Sequence, residues 1–286
     1  MNCDYALENK LKKENPELSK LYTNCVPIFD MMLRKFFAHF PTFTDHTLLH
    51  SLSVINLSNY LIGEHISELN ADEIYVYLLS TAMHDVGMGV NDRNFKEFMT
   101  ELGLLDLPEN EGQPTPNLIR KYHHELSGKF IMKYYDILDI PNERYAYAIA
   151  EVSRGHRKTN LLDESQFPTD YEVAEGRMVN LARLGALLRV TDELDMASDR
   201  NPDLIFATVD LGNNEMSKRE FSRHRAITDI RFESPKIFVD TSTDDDDVRQ
   251  SIIDCVAEAQ FKLDYCREVM TARGGCLTDY DELIIV

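Results

Sequence analysis

The stretch STAMHDVGMG, residues 80–89, closes one of the most apolar runs in the chain with His84, Asp85 and then two glycines, Gly87 and Gly89. A buried aspartate without a partner is costly, so a cap, a salt bridge or a metal ion must compensate for it. Helical spacing separates these options, because residues at i, i+4, i+7 and i+11 share one face. Counting back from Asp192 on that spacing gives Leu188, Gly185 and Leu181; from His156 it gives Val152, Ile149 and Tyr145. Counting forward from His50 gives Val54, Leu57 and Leu61. Each stripe aims a metal-capable side chain along a buried helical face. A lone core histidine is usually just hydrogen-bonded, but three such stripes beside His84-Asp85 point to a shared metal site. Imidazole with carboxylate suits one or two divalent ions of Mn, Fe, Zn, Co or Ni, whereas Ca²⁺ and Mg²⁺ favour oxygen ligands; Mg²⁺ remains compatible with a substrate complex. Adjacent His and Asp cannot both point inward from a regular helix, and the glycines are expected to let the chain unwind there.

Other polar residues stand close to these positions. Arg120 and Lys121 lie within a turn of His124; Arg154, Arg157 and Lys158 flank His156; Arg189 precedes Asp192 and Arg200 follows it. Arginine suits bidentate phosphate contact, so Arg120, Lys121, Arg157, Arg189 and Arg200 are the candidate substrate-binding residues. The alternative is that each pairs with one of the chain's many carboxylates. Asp195 could ligate or orient an arginine. His46, one turn before His50, is a candidate general acid, an outer donor or a helix-start residue. At 123–124 the apolar stripe of Ile119, Leu126 and Phe130 favours His123 as the inward residue. His39, His65 and His224 show no partner pattern and are expected to be structural or exposed.

Helices must position these groups. Helical patterning covers most of residues 15–200: PELSKLYTNCVPIFDMMLRKFFAHF with Pro27 able to kink it, TDHTLLHSLSVINLSNYLI behind a Thr44 or Asp45 cap, NADEIYVYLLSTAMHD, DRNFKEFMTELG, TPNLIRKYHHELSGKFIMKYY, PNERYAYAIAEVSRGH and EGRMVNLARLGALLRVTDELDMA. Segments 104–117 and 157–173 read as loops. After residue 202 the texture becomes β-branched: DLIFATVD, AITDIRFE and KIFVDT read as strands, the last two joined by ESPK as a hairpin. DDDD then opens a helix of about 25 residues, favoured by the macrodipole, and DELIIV is a final strand. The expected architecture is mainly α: a helical metal-binding domain with an N-terminal extension over 1–202, and a small C-terminal α+β region over 203–286.

The chain has 286 residues and a formal charge of −19, which disfavours a groove that tracks nucleic acid. A small phosphate substrate stays compatible, because divalent ions reverse local charge. Neither a membrane span nor a secretory signal is legible. Five scattered cysteines without a CxxC pair read as reduced thiols, and the expected location is the cytoplasm. There is no GxxxxGK[ST] and no GxGxxG.

The ordered set HSLSV from His50, HDVG from His84, HELSG from His124, RGH to His156 and LLRVTDELD around Asp192 resembles the HD-domain metal-dependent phosphohydrolase superfamily over roughly residues 40–200. DELDMASDR is also similar to the last motif of HD-GYP phosphodiesterases. However, Met88 stands where those carry lysine, and the Gly-Tyr-Pro element is missing. The fuller pattern looks more like stand-alone bacterial HD proteins.

The resemblance implies an all-α bundle in which His50, His84, Asp85 and Asp192 hold a first metal. Asp85 would bridge to a second ion held by His124 and His156; here the family's histidine, followed by Gly128 four residues on, selects His124 over His123. It implies hydrolysis of a nucleotide or related small phosphate by metal-activated water, with Asp85 or Asp192 accepting the proton. Two rivals share the site: an HD-type diiron oxygenase, and a non-catalytic sensor or scaffold whose C-terminal region binds a partner. Many such proteins form homodimers, though no stripe in the sequence marks an interface.

Overall fold

Asn15 ends one helix and starts the next. It follows α1 (Ala6–Glu14) and caps α2 (Pro16–Leu33), its side chain accepting from the Leu18 amide at 3.1 Å with Pro16 in the first turn. The structure, a computed structural model, describes residues 5–35, 40, 48–105, 115–197 and 215–286, without the side chains of 215 and 216. Pro27 sits inside α2 without ending it. The expected caps Thr44 and Asp45, together with His39, His46, Arg200, most of loop 104–117, the strand at 203–210 and the boundary near 203, lie outside the described residues.

The run that ends in HD is apolar on all sides because it is covered on all sides. After α3 (Leu48–Ile62) and a 3₁₀ turn (Gly63–Glu68) comes α4 (Ala71–Met83), in which residues 72–83 are all buried. Asn70 opens α4 with a reciprocal cap: its side chain accepts from the amides of Asp72 and Glu73, and Glu73 accepts from the Asn70 amide at 3.0 Å. Helices α1, α2 and α3 pack around it. A 3₁₀ turn (Val86–Gly89) leads to α5 (Asp92–Glu101), α6 (Pro116–Tyr134, capped by Thr115) and α7 (Glu143–Gly155, capped by Asn142).

Segment 175–197, expected to be one helix, divides. Tyr171–Ala174 (β1) and Arg177–Val179 (β2) form an antiparallel hairpin around Gly176, whose φ of +69° suits glycine. Asn180 then caps α8 (Leu181–Leu194) by accepting from the Arg183 amide at 3.0 Å. Strands this short, one of them beginning inside the expected loop 157–173, carry too few residues to show a two-residue period. Helix α8 packs against α3, α7 and the long C-terminal helix.

The C-terminal region is α+β. Helix α9 (Glu215–Ala226) leads into β3 (Ile227–Glu233) and β4 (Lys236–Thr241), an antiparallel hairpin pairing Glu233 with Lys236. Asp245, within the acidic run, caps α10 (Asp246–Ala272) by accepting from the amides of Asp247 and Val248. The closing strand β5 (Glu282–Ile285) runs parallel to β4 in the order β3-β4-β5. The fold is thus mainly α with a small C-terminal α+β part. The described cysteines, Cys25, Cys255, Cys266 and Cys276, are free thiols. No helix among the described residues is long and apolar enough to cross a membrane.

His65 is not unpartnered. Its Nδ1 meets Glu68 Oε1 at 2.7 Å and its Nε2 meets Asp279 Oδ1 at 3.0 Å, while Arg183 of α8 donates to Glu68 Oε2. These contacts tie the 3₁₀ turn to the segment before β5. The hydrogen bonds to Glu68 and then Asp279 raise the His65 pKa above its ordinary 6.5. Its stabilisation is therefore full below about pH 6.5 and is lost as pH rises through the raised folded value. Urea midpoints between pH 6 and 8.5 should fall with pH in the native chain more steeply than in His65→Gln; equal slopes would show that the clasp contributes nothing.

Candidate metal centre

Three of the histidines sit where their backbone gives them a fixed tautomer. His84 and His156 follow the last residues of α4 and α7, where carbonyls lose their helical partners. His84 Nδ1 donates to the Thr81 carbonyl at 2.7 Å, and His156 Nδ1 to the Ser153 carbonyl at 2.5 Å. His123, inside α6, donates from Nδ1 to the Arg120 carbonyl at 2.7 Å. His50 of α3 turns its Nδ1 to Asp195 Oδ2 at 2.5 Å, and Ser53 holds the other oxygen of that carboxylate at 2.6 Å. A carbonyl or carboxylate accepts only, so the proton of each ring is on Nδ1 and the Nε2 lone pair is left over.

These four Nε2 atoms converge on Asp85. His50 and His84 Nε2 are 3.2 Å apart, and they lie 3.7 and 3.3 Å from Asp85 Oδ2 and 3.2 and 3.5 Å from Asp192 Oδ1. On the other side, His123 and His156 Nε2 are 2.8 Å apart, at 3.3 and 4.0 Å from Asp85 Oδ1. Asp85 thus offers one oxygen to each group. His50, His84 and Asp85 form one buried set able to hold an ion; Asp85, His123 and His156 form another.

The donors fit a divalent metal. Ligands about 2.1 Å from an ion lie roughly 3.0–3.4 Å from one another on an octahedron or tetrahedron, close to most of these separations. Burial pushes His123 down to about 4 and His156 well below the ordinary imidazole range, so both are neutral near pH 7. Two neutral imidazoles with Nδ1–H cannot hydrogen-bond through Nε2; facing lone pairs at 2.8 Å require a cation between them. At His84 burial opposes a charge, but Asp85 and Asp192 outweigh it and hold the pKa well above the ordinary value. They demand positive charge at Nε2, as a proton or as a metal ion. The Asp195 contact is the outer-shell bond that typically aligns a ligating imidazole.

Helical packing brings the two halves together at glycines. Neither Gly87 nor Gly89 has a positive φ, so the expected reason for them, conformational freedom, is replaced by close approach. A Cβ on Gly87 would lie 2.2 Å from the His123 carbonyl oxygen, and the Gly87 amide donates to Ser127 Oγ, which donates to the His84 carbonyl. Gly155 and Gly185 likewise let α7 meet α8, since a Cβ on Gly155 would lie 2.9 Å from Gly185 Cα.

The structure brings His50, His84, Asp85, His156 and Asp192 together and adds His123 where His124 was expected. His124 belongs to neither set: its Nε2 is 3.7 Å from Glu125, and its buried Nδ1 has no hydrogen-bond partner. The helical stripe thus indicates the inward residue at 123–124. Gly128 makes room instead for the stem of Arg154, which is paired bidentately with Glu125. Arg189 is buried and donates to the carbonyls of Gly155 and Thr159, holding the chain on both sides of His156 rather than facing substrate. Lys121 lies over the Tyr122 ring, away from the cavity.

A cavity of about 530 Å³ opens over the two sets. Asp85, His123, His156 and Asp192 line it, with Arg120 and Arg157 from the expected residues. The C-terminal region completes its lining with, among others, Arg219, Arg223, His224 and Lys262. His224 is therefore buried in the cavity wall. No spacing rule in the sequence linked these residues to His50 or His156.

Fold and site together define an HD-type helical domain. A family model, HD-CE, matches residues 40–269, well over half of the chain, and the chain belongs to the HD-CE family. The match takes in both ligand sets, α9, the β3–β4 hairpin and most of α10. No curated protein and no solved structure matches the chain.

Replacing Asp195 by Asn removes the negative acceptor behind His50; metal affinity, read by competition with a fluorescent chelator, should fall about 10–100-fold. Gly87→Ala forces the 86–89 turn off α6 and should lower unfolding free energy by roughly 1–3 kcal/mol in urea titration. An unchanged midpoint would mean that the turn is not held by this contact.

Proposed function

We propose that this chain is a metal-dependent phosphohydrolase acting on a nucleotide or a related small phosphate ester or anhydride. The observation that carries the reading is the convergence of four imidazole Nε2 atoms on Asp85 at the wall of a cavity that arginine and lysine side chains also line. His50, His84, Asp85 and Asp192 would hold one ion, and Asp85, His123 and His156 a second. Bound there, divalent ions supply Lewis acidity towards phosphoryl oxygens and make water nucleophilic at neutral pH.

The chain's own residues then have distinct tasks. Arg157 lines the cavity one residue after His156 and has no ion pair among the described residues, so its guanidinium is available to bind and orient phosphoryl oxygens. Arg120, whose carbonyl fixes His123, faces the same space. Asp192 is the more open carboxylate, 22% exposed against 5% for Asp85, which supports it as the one that would accept a proton from water at the cavity. Asp195 would position His50 through its bond to Nδ1.

The test is product release from a panel of nucleotides, phosphomonoesters and phosphodiesters with added Mn²⁺, beside an Asp85→Ala control. The expected result is turnover of one class, lost by at least about a thousandfold in the control, as for a group acting through charge stabilisation. Bound metal without turnover on any phosphate would overturn the hydrolase reading. A mixed-valent iron pair in anaerobically prepared protein would then support the oxygenase, and nucleotide binding without turnover the sensor.

A further inference from the structure

The metal sets occupy only one wall of the cavity. Beyond them, α9 contributes Arg219 and Arg223, one turn apart and therefore on the same face, and α10 contributes Lys262. The excess of acids in the chain, 49 against 30 bases, makes such a gathering of cations unexpected. Apart from Asp85, Asp192 and Asp195, which are committed to the histidines, the lining holds five Arg and Lys side chains against four carboxylates.

We propose that α9 and α10 form the anion-reading wall of this cavity, with Arg219, Arg223 and Lys262 seating a second phosphate group of a substrate whose first phosphate lies at the metal wall. The substrate class is a small molecule with at least two phosphoryl groups, such as a nucleoside diphosphate or triphosphate. This rests on the reading of the cavity as the substrate chamber. A volume of about 530 Å³ suits such a molecule, since small-molecule sites run about 300–1,000 Å³. A lone phosphomonoester would use the metal wall and leave the α9–α10 wall idle.

Of these cations, Arg219 has the most exchangeable partner and Lys262 the least. Arg219 meets Asp254 at 3.2 Å, and both side chains are well exposed, the kind of pair that contributes little to stability. Arg223 is held by Glu220 on its own helix, and its buried Nε has no partner, so a strong donor is left for an acceptor such as phosphate. Lys262 bridges Glu193 and Glu258. Glu193 directly follows Asp192, so the lysine sits between the metal wall and α9.

The experiment is calorimetric titration of the full chain, loaded with Mn²⁺ and freed of excess metal, with inorganic tripolyphosphate and with orthophosphate. The native chain should bind tripolyphosphate at least about tenfold more tightly, as expected of added charge-assisted contacts. In Arg219→Ala/Arg223→Ala and in Lys262→Gln, that ratio should shrink to within about threefold while orthophosphate binding holds. Circular-dichroism melting confirms the fold. If the lysine variant does not fold because Glu193 is left unpaired, Arg219→Gln/Arg223→Gln alone decides. Equal affinity for the two anions in the native chain, or an unchanged ratio in folded variants, overturns the proposal and leaves the cations as structural ion pairs. The outcome is separable from that of the hydrolase reading: a ratio that responds, without turnover on any phosphate, retires hydrolysis and keeps the anion wall. Turnover with an unresponsive ratio does the reverse.

Discussion

Four imidazole lone pairs face one another around a single buried carboxylate, and the rest of the structure is arranged to keep them there. Each ring is locked through Nδ1 to an acceptor that cannot give a proton back: Thr81, Arg120 and Ser153 carbonyls and the Asp195 carboxylate. The lock removes the tautomer that would let two rings hydrogen-bond to each other. It therefore converts a set of buried histidines into a demand for positive charge, most plainly at the 2.8 Å pair of His123 and His156, which burial keeps neutral. A structural role alone gives no reason for such an arrangement. One protonated ring, or one apolar substitution, would satisfy a core at lower cost.

The helices supply this constraint through their ends and their crossings. His84 and His156 each follow a helix whose final carbonyls need donors, so one imidazole serves as a backbone cap on one nitrogen and offers the other to an ion. That dual use explains why an interior helix ends in a histidine. The crossings are then closed by removing side chains: Gly87 against α6, and Gly155 against Gly185. Any Cβ at these places would push apart elements whose ligand atoms must stay within a few ångströms.

The readable part of the site was the part written in helical period. His50, His156 and Asp192 follow from apolar stripes, because a helix repeats its facing residue at known intervals, and His84-Asp85 from the buried aspartate that closes an apolar run. The same rule favours His123, and the family pattern misleads at that point because Gly128 answers to Arg154 rather than to a neighbouring ligand. The hairpin of β1 and β2 escaped because strands of four and three residues carry almost no period. Arg189 escaped for another reason: a guanidinium beside a metal motif reads as phosphate-binding unless the carbonyls that capture it, those of Gly155 and Thr159, are visible. The C-terminal strands and the long helix were legible where alternation and an acidic start marked them; their place over the cavity was not, since no local pattern encodes a contact such as that of Lys262 with Glu193, 69 positions apart.

The net charge of −19 acquires a local meaning from that contact. Averaged over the surface it argues against a polyanionic partner, yet averages do not govern a cavity of about 530 Å³. Inside it, the acids nearest the histidines are those a divalent ion would neutralise, and the guanidiniums and lysine come from the bundle and from the C-terminal helices. Screening and burial weaken the field of the acidic exterior at the cavity, so the charges that line it act over short range. The cavity's charge is thus set locally, by residues that the C-terminal helices bring to the chamber the bundle begins.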